Sequence, residues 1–338
     1  MTAGWAIIGP GAFAANRIAP ALNKARNCRL VAVVSRDRGR AEAFAAEHGA
    51  QRAYDDLAAA LRDPDVDCVW VATPHSLHLE PVLAAARAGK HVLCEKPLAT
   101  SRSDAREMIR ACARANVHLG TGFHLRHHPL HREARRLVAE GALGTPIEAA
   151  AEWSVPPARP GSGYLYTAAW RRDPALALAG ITTGTGVHVI DLLRFVLNDE
   201  IVAVSAYTDA PAEDAGALES RAIALLRFAR GTFAVARCFR GVPAPRNDLA
   251  ITGSEGWIVT RNTLGEATRG TVEAHGVEPQ IVGIPAGWDM YTAEAEAFVD
   301  AVEAGKEPSA SGEDGLRCVE VLDALLESAR TGRTVQLG

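Results

Sequence analysis

The chain has 338 residues, which is more than one ordinary hydrophobic core supports and is sufficient for two domains. Apolar residues make up 48% and charged residues 22%, a balance that indicates a packed globular protein and excludes global disorder. The formal net charge of -4 leaves no basic surplus for binding a phosphate backbone, so nucleic acid is not expected as the main partner.

The N-terminal segment and the cysteines bear on location. Residues 1–8 read MTAGWAII, without the basic start and apolar core of a signal peptide. The uncharged stretch Ala175–Ile190 contains Gly, Thr and His, and we expect it to be too short and too polar to span a bilayer. The 6 cysteines include no C-x-x-C pair and no zinc-like spacing, so reduced thiols and no metal site are expected. A cytoplasmic protein without membrane partners is predicted.

Short apolar runs alternate with Ala-rich helical stretches over the first third of the chain. The pattern predicts a repeated strand–helix unit, with strands at 5–8, 30–34, 68–72, 91–94 and 117–121 and helices at 10–25, 37–48, 77–88 and 101–115. Continuous apolar strands that alternate with helices are typical of a parallel sheet covered on both faces, with right-handed crossovers.

The pattern changes after a predicted helix at 129–140 and a turn at Gly141–Gly144. Strand-like runs then follow one another without intervening helices, at 147–155, 202–208, 221–228, 232–239, 249–252 and 257–260. Gly231 lies between two of these runs, as in a hairpin turn. Helical patterns return at 291–304 and 316–330. This second part is expected to form a largely antiparallel sheet.

A glycine-rich segment follows the first strand. Residues 9–14 read Gly-Pro-Gly-Ala-Phe-Ala and open a helix, which is the context of a dinucleotide-binding loop. Gly9 would allow the tight turn, Gly11 would let the backbone approach a pyrophosphate, and the small Ala14 would allow close packing of helix on strand. The phosphates would then meet the free amide groups at the start of the helix.

We therefore predict an α/β Rossmann dinucleotide-binding domain over residues 1–122. It is followed over residues 123–338 by an α+β domain with a large, mostly antiparallel open sheet for substrate binding and oligomerisation. No helical pattern is available to cover one face of that sheet, so we predict a homodimer or homotetramer formed through it.

The end of the second strand bears on the choice of cofactor. An acidic residue there suits the ribose hydroxyls of NAD, whereas an arginine suits the 2′-phosphate of NADP. The sequence reads Ser35-Arg36-Asp37, and the hydroxyl and guanidinium favour NADP. NAD remains an alternative, because a shifted strand end would place the carboxylate of Asp37 beside the ribose.

Two further segments complete a family resemblance. Residues 70–98 contain a Thr-Pro pair at 73–74, His78, and a Gly-Lys-His-Val run that leads to Glu95-Lys96-Pro97, and residues 184–194 read GTGVHVIDLLR. With the glycine loop, these motifs closely resemble the glucose-fructose oxidoreductase / inositol dehydrogenase / rhizopine catabolism family over nearly the whole chain. The Glu-Lys-Pro triplet is the most specific of them.

The resemblance implies a site. Lys96 would lie at the nicotinamide and donate to the substrate oxygen, and His188 would be the general acid or base. Trp170 and Arg171 resemble the pair that closes over the cofactor in the family. The cofactor-binding set is then Gly9, Gly11, Phe13, Ala14, Ser35, Arg36, Thr73, Pro74, His78, Glu95, Lys96, Trp170 and Arg171.

These residue types suit the chemistry. The cofactor carries the hydride, while the protein orients the carbinol carbon and moves one proton. Histidine does this near neutral pH, and a lysine ammonium stabilises a developing alkoxide. One departure stands out, because the family pattern has Asp four residues before this histidine and here the position is Gly184.

Other polar residues are weaker candidates for contact with substrate. Thr183 or Thr185 would offer His188 a hydrogen bond in place of the missing Asp. Asp191 either contacts substrate or has a structural role, as a cap or as a partner of Arg194. The cluster His124, His127, His128 and His131 is expected to be a solvated or inter-domain polar patch, with Arg126 at the mouth of the substrate site as the alternative. The predicted substrate-binding set is Arg126, Thr183, Thr185, Asp191 and Tyr164.

The sequence therefore predicts an NAD(P)-dependent oxidoreductase, with NADP as the favoured cofactor, acting on a sugar, polyol or related carbonyl compound. The substrate would lie beyond the carboxyl ends of the parallel strands. Two alternatives stay open, a non-catalytic dinucleotide-sensing regulator and an NAD-dependent glycoside hydrolase of the same family.

Overall fold

The computed structural model describes residues 2–157, 169–210 and 218–338. The chain divides into two compact units. Unit 1 comprises residues up to His124 with Tyr291–Val319, and unit 2 comprises Leu125–Met290 with Glu320–Gly338. This division differs from the predicted one at 122/123 mainly because residues 291–319 belong with the first part of the chain.

Unit 1 is built on a six-stranded sheet in the order β3-β2-β1-β4-β5-β6, and all of its strand pairs are parallel. The strands are β1 (Ala3–Ile8), β2 (Cys28–Val34), β3 (Arg52–Tyr54), β4 (Cys68–Val71), β5 (His91–Cys94) and β6 (Leu119–Thr121). The helices are α1 (Ala19–Lys24), α2 (Arg38–His48), α3 (Leu57–Leu61), α4 (Leu79–Arg87) and α5 (Arg102–Arg114), with most of α9 (Met290–Glu303) and the start of α10 (Gly312–Thr331). The predicted Rossmann architecture is confirmed.

The C-terminal segment belongs to unit 1 because it fills one side of this sheet. Phe298 packs against Trp5, with 5.5 Å between ring centroids, and Trp5 packs in turn against Trp70 at 5.8 Å. Ala295 and Val299 join the same buried cluster. The sequence pattern predicted a helix with an apolar face in this segment but did not indicate which core that face would join. The face completes the core of unit 1 and not that of unit 2.

Unit 2 is built on an eight-stranded sheet in the order β13-β12-β11-β7-β10-β9-β8-β14. Its strands are β7 (Pro146–Glu152), β8 (Ile201–Thr208), β9 (Arg221–Phe228), β10 (Phe233–Phe239), β11 (Leu249–Gly253), β12 (Trp257–Arg261), β13 (Thr271–His275) and β14 (Val335–Gln336). Neighbouring strands are antiparallel except β7 and β10, which pair in parallel. The helices are α6 (Pro129–Ala139), α7 (Pro174–Ala177), α8 (Val187–Leu197) and the remainder of α10. The mostly antiparallel second sheet is confirmed.

Gly231 makes the predicted hairpin between β9 and β10. Its φ is +98°, in the left-handed region that favours glycine. Its N–H donates to the carbonyl of Phe228 at 3.0 Å, and Phe228 N donates to the carbonyl of Thr232 at 2.9 Å.

The segment Pro174–Leu197 is long and apolar enough to cross a membrane by length and composition, and it contains the shorter stretch Ala175–Ile190 that was predicted not to span one. However, 89% of its most apolar window is buried within the structure. Burial of this kind is typical of the core helix of a globular protein.

Candidate active site

The carboxyl ends of four strands in unit 1 lie level with one another. Ile8 at the end of β1 pairs with Val34 of β2 and with Val71 of β4, and Val71 pairs with Cys94 of β5. The segments that follow these strands therefore lie side by side along one edge of the sheet. The order of the strands reverses between β1 and β4, which is where open α/β sheets bind ligands.

The glycine loop follows β1 at this reversal. Gly9 has a φ of +97°, and a Cβ there would lie 2.9 Å from the carbonyl oxygen of Ala72, so the fold itself requires glycine. A Cβ on Gly11 would meet no atom of the protein within 4 Å. The helical start at Ala14–Ile18 has no side-chain cap. Open space over Gly11 and uncapped amide groups are what a pyrophosphate needs, so these residues fit a dinucleotide.

Three aromatic rings in contact with one another support one side of this loop within unit 1. The ring of Phe13 meets Tyr291 edge-on at 5.7 Å, and Tyr291 stacks on His124 at 4.5 Å. Tyr291 is 2% exposed. The C-terminal helix α9, through Tyr291, thus helps to position the glycine loop.

The turn after β2 carries several charges. Asp37 caps α2, since its carboxylate accepts from Arg40 N at 2.8 Å. Arg40 in turn donates through its guanidinium to the carbonyl of Pro10 in the glycine loop at 2.9 Å. Arg36 makes no hydrogen bond or ion pair with any residue in the described part of the chain, and Ser35 Oγ accepts from Asp37 N at 3.3 Å. The carboxylate is thus engaged with the helix while two guanidinium groups lie at the turn.

His78 ties together the segments that follow β4 and β5. Its Nε2 lies 3.1 Å from the carbonyl of Thr73, and its Nδ1 lies 3.0 Å from that of Pro97 and 3.2 Å from that of Leu98. Burial lowers the pKa of this ring, and the surrounding carbonyls oppose the shift only in part. The side chain therefore fixes the Glu-Lys-Pro segment to the Thr73 loop from within the protein.

Glu95 and Lys96 occupy the end of β5. Glu95 accepts a hydrogen bond from the indole of Trp70 at 3.2 Å, and its carboxylate lies directly under Gly122, where a Cβ would approach to 2.9 Å. Lys96 is 9% exposed, which is unusual for an ammonium group. The glutamate is held against the sheet, and the buried lysine is the charged group that this end of the sheet offers for chemistry.

His188 lies in unit 2, in the first turn of α8, and is 3% exposed. Its imidazole packs on the indole of Trp153, with 4.8 Å between ring centroids and 35° between ring planes. Trp153 follows β7. No sequence pattern indicated this contact, because the two residues are distant in the chain.

A buried carboxylate caps the helical turn before α8. Glu219, which is 3% exposed, accepts from Gly180 N at 2.9 Å, from Thr182 N at 2.8 Å and from Thr182 Oγ1 at 2.6 Å. The turn at Thr182–Gly186 is π-helical. Glu219 therefore organises the start of the segment that carries His188, and sequence reasoning missed it.

The two threonines proposed to assist His188 bond elsewhere. Thr183 Oγ1 donates to the carbonyl of Ala179 at 2.6 Å, and Thr185 Oγ1 lies 3.4 Å from that of Ile181. Such bonds to the preceding turn use the one proton of each hydroxyl. Neither threonine makes a hydrogen bond to His188 within the described residues.

Arg126 and Asp191, both predicted to bind substrate, pair with each other. The guanidinium meets the carboxylate through Nη2 at 2.6 Å and Nε at 2.9 Å, and both side chains are buried. Arg194 lies 3.9 Å from Asp191 and makes its shorter bonds to Glu200 at 2.7 and 2.9 Å. The ion pair of Arg126 and Asp191 holds α8 one turn after His188, so it supports the helix that carries this candidate base.

The expected solvated histidine patch is instead buried, which corrects that expectation. His131 bonds the carbonyl of Leu125 and Thr263 Oγ1, each at 2.9 Å, and His128 Nε2 lies 3.0 Å from the carbonyl of Arg269. Burial lowers the pKa of His128 to about 4 and that of His127 to about 3. Burial therefore favours the neutral rings of His127 and His128, and His128 and His131 bond protein groups in place of water.

The remaining predicted residues lie near residues that the structure does not describe. Trp170 and Arg171 belong to a 3₁₀ turn at Ala169–Arg172, and the guanidinium of Arg171 lies 4.5 Å from the centroid of the Trp170 ring. Tyr164 lies outside the described residues. Among the described residues, no cluster of three or more His, Cys, Asp or Glu side chains has the arrangement of a metal site.

Comparison with known proteins decides the family. A family model described as "Oxidoreductase family, NAD-binding Rossmann fold" matches residues 3–123, and the GFO/IDH/MocA C-terminal domain matches residues 131–259. The chain belongs to the GFO/IDH/MocA oxidoreductase family. The predicted family and enzyme class are confirmed.

The similarity extends over the whole chain. The 1,5-anhydro-D-fructose reductase of Ensifer adhaerens is 34% identical over 98% of each chain. The "D-xylose 1-dehydrogenase (NADP(+)) 2" of Haloferax volcanii is 31% identical, again over 98% of each chain. Among solved structures, the aldose-aldose oxidoreductase from Caulobacter crescentus complexed with glycerol has a TM-score of 0.88 at 30% identity and covers 100% of both chains.

Proposed function

We propose that this member of the GFO/IDH/MocA family is an NADP(H)-dependent dehydrogenase or reductase of a sugar, a polyol or a related carbonyl compound. The observation that carries the proposal is the level edge of the unit 1 sheet. The glycine loop, a turn with two guanidinium groups and a buried lysine follow the strands in one row along that edge, and this order supports the proposal.

The spacing of that row fits an extended dinucleotide. Ser35 follows β2, and Lys96 follows β5, which is three strands away in the order β2-β1-β4-β5. Neighbouring strands are about 4.8 Å apart, so the two ends of the row are ~14 Å from each other. The glycine loop lies between them. This order suits a ribose phosphate at Ser35, a pyrophosphate at the loop and a nicotinamide at Lys96.

The chain's own residues would divide the remaining chemistry. When bound, the nicotinamide accepts or supplies a hydride at the carbinol carbon. Lys96 would donate a hydrogen bond to the substrate oxygen and stabilise the charge that develops there. His188 would take the hydroxyl proton during oxidation or return it during reduction. His78 would hold the lysine segment in place, since it bonds the carbonyl of Pro97.

The turn after β2 supports NADP as the cofactor. Asp37 is occupied as a helix cap, whereas Arg36 is exposed and makes no ion pair within the described residues. A ribose 2′-phosphate would gain charge-assisted hydrogen bonds from guanidinium groups at this turn. NAD would leave those cations without an anion.

The activities for which similar proteins are named support the substrate class. The E. adhaerens relative is named as a reductase of a sugar derivative, and the H. volcanii relative is named as a dehydrogenase of a sugar. Their similarity covers both units, including the segment with His188. We therefore extend the class of substrate, a polyhydroxylated compound with one reacting carbinol or carbonyl, to this chain.

We further propose that a second copy covers the open face of the unit 2 sheet. Leu225 and Phe233 point to that face and are 60% and 62% exposed, while Tyr207 is 75% exposed. They are neighbours across β8, β9 and β10, since Tyr207 pairs with Ile223 and Leu225 pairs with Val235. Contiguous apolar exposure of this kind is typical of an interface between subunits.

The cysteines support a reducing, cytoplasmic location. All 6 are buried and none is in a disulfide. Burial raises the pKa of the Cys28 thiol to about 12 and that of Cys112 to about 11, so these groups are poor nucleophiles. Their role is packing.

The test is a panel of aldoses, ketoses and polyols assayed with NADP(H) and NAD(H) at the absorbance of the reduced nicotinamide. We expect net turnover on at least one compound, faster with NADP(H). The His188→Ala variant should lose turnover by about 100-fold while binding NADPH as tightly as wild type, because general acid–base catalysis contributes that much. Tight NADPH binding without turnover across the panel would refute the enzyme and favour a cofactor-sensing role. Product formation without net cofactor turnover would indicate a hydrolase.

A further inference from the structure

The contact between Trp153 and His188 is built into the core of unit 2. The rings are 4.8 Å apart between centroids with 35° between planes. Trp153 is 4% exposed and His188 is 3% exposed. An indole packed at a tilt against an imidazole excludes water from that side and restricts the rotation of the ring, because buried side chains are closely packed.

The backbone on both sides of the indole is anchored. Trp153 N donates to the carbonyl of Arg237 at 3.1 Å, and Val155 N donates to that of Phe239 at 2.8 Å. Between them, Ser154 N donates to Asn247 Oδ1 at 2.8 Å. These bonds prolong the pairing of β7 with β10 and add a bond from the segment before β11. The indole is therefore a fixed surface against which the imidazole rests.

We propose that Trp153 is a positioning residue for His188, an inference that rests on the proposed function. Its ring holds the imidazole in one orientation for proton exchange with the substrate oxygen. The indole face is electron-rich, so it also favours the protonated imidazole that forms when a hydroxyl gives up its proton. Displacement of a reacting group by about 1 Å can cost about 100-fold in rate, so loss of the stack should be visible in turnover.

The surroundings of His188 make this contact more important. The residue four positions earlier is Gly184, which has no side chain. Thr183 and Thr185 use their hydroxyl protons on backbone carbonyls. The indole of Trp153, which meets His188 from the end of β7, supplies an orienting contact that Thr183, Gly184 and Thr185 do not.

The experiment compares Trp153→Leu and Trp153→Phe in the full-length enzyme with its cofactor. A matched control is Trp257→Leu, because Trp257 also stacks on a histidine, His275, at 6.2 Å and 21°, but at the edge of the sheet. For each protein we would measure kcat and KM for a substrate that wild type turns over, the Kd for NADPH, and the proton NMR signals of the His188 ring. His188→Ala assigns those signals.

We expect Trp153→Leu to lower kcat by about 10- to 100-fold, with KM and Kd near the wild-type values, since the loss is in orientation. Trp153→Phe keeps an aromatic face and should recover most of that loss. The His188 signals should move in both variants, more with leucine, because the ring current of the indole is removed. Trp257→Leu should match wild type in kcat and in the His188 signals.

A folded Trp153→Leu enzyme with wild-type kcat would overturn the inference while leaving the proposed function intact. Equal losses in kcat and in NADPH affinity would also overturn it, because they would indicate general disruption. If leucine prevents folding, the His188 signals of the phenylalanine variant decide the question, because they should still move. Absence of turnover in wild type would instead refute the proposed function, and unmoved His188 signals would then overturn the positioning role without any need for activity.

Discussion

The buried His128 should make the protein sensitive to mild acid. Its Nδ1 accepts from Leu130 N at 3.2 Å, so it caps α6, and its Nε2 lies 3.0 Å from the carbonyl of Arg269. Both contacts are satisfied by the neutral ring that carries its proton on Nε2. Protonation of Nδ1 would break the cap and leave a charge in an apolar interior.

The sign and size of the effect follow from the pKa. In the folded protein burial lowers the pKa of His128 to about 4, whereas in the unfolded chain it is about 6.5. The unfolded chain therefore binds more protons between these values, so stability is complete above pH 6.5 and falls as the pH is lowered. At about 1.4 kcal/mol per pH unit, the loss due to this ring is ~2 kcal/mol between pH 6.5 and 5.

The perturbation is His128→Asn, because Asn keeps an acceptor for the helix cap and does not titrate in this range. Urea unfolding of wild type and variant would be followed at several pH values between 7 and 5. We expect the variant to be less stable at pH 7 by about 1 kcal/mol for the lost bond to Arg269, but to lose ~2 kcal/mol less on going to pH 5. His275→Asn, at an exposed position, should run parallel to wild type. Parallel curves for His128→Asn and wild type would refute the argument.

Three other predictions concern the cap of the His188 segment, the cofactor and the subunit interface. Glu219→Ala leaves two buried N–H groups without an acceptor, so the free energy of unfolding should fall by about 3–5 kcal/mol. As a control, Glu255→Ala at an exposed position should change it by about 0.5 kcal/mol or less. Similar melting temperatures for the two variants would contradict this prediction. Arg36→Ala should raise KM for NADP by roughly 10- to 100-fold and leave KM for NAD nearly unchanged, and equal effects on both would rule out the NADP assignment. Leu225→Glu should convert the oligomer to monomer in sedimentation experiments, and a wild-type monomer at micromolar concentration would refute the interface.

Periodicity and strand-end chemistry predicted most of unit 1. The apolar runs that form β1, β2, β4, β5 and β6 are buried on both faces, so they stand out from the helices between them. β3 and α3 were missed because they are short and partly exposed, and a strand at the edge of a sheet needs less apolar surface. The glycine loop and the Glu-Lys-Pro segment were found because their chemistry is local in sequence.

Most strands of unit 2 could be predicted from the sequence, but the contacts around its candidate site residues could not. In β9 exposed and buried residues alternate along the whole strand, which is the pattern that indicated a sheet with one open face. The parallel pairing of β7 with β10 was not indicated, because nothing local in either strand encodes its neighbour. The histidines at 124, 128 and 131 look like a polar surface in sequence, yet they contact Tyr291, Arg269 and Thr263 far along the chain.

The segment around His188 shows where the limit lies. Its sequence alone suggested a weakened catalytic pair, because Gly184 replaces an acidic residue. The structure surrounds the same segment with the Glu219 cap before it, the Trp153 ring beside it and the Arg126–Asp191 pair one turn after it. All three contacts join residues far apart in the chain, so a search by spacing cannot find them. The orientation of a catalytic side chain depends on the residues that pack around it. One of these residues, such as the one at position 184, can change while the remaining contacts still hold the helix that carries the side chain.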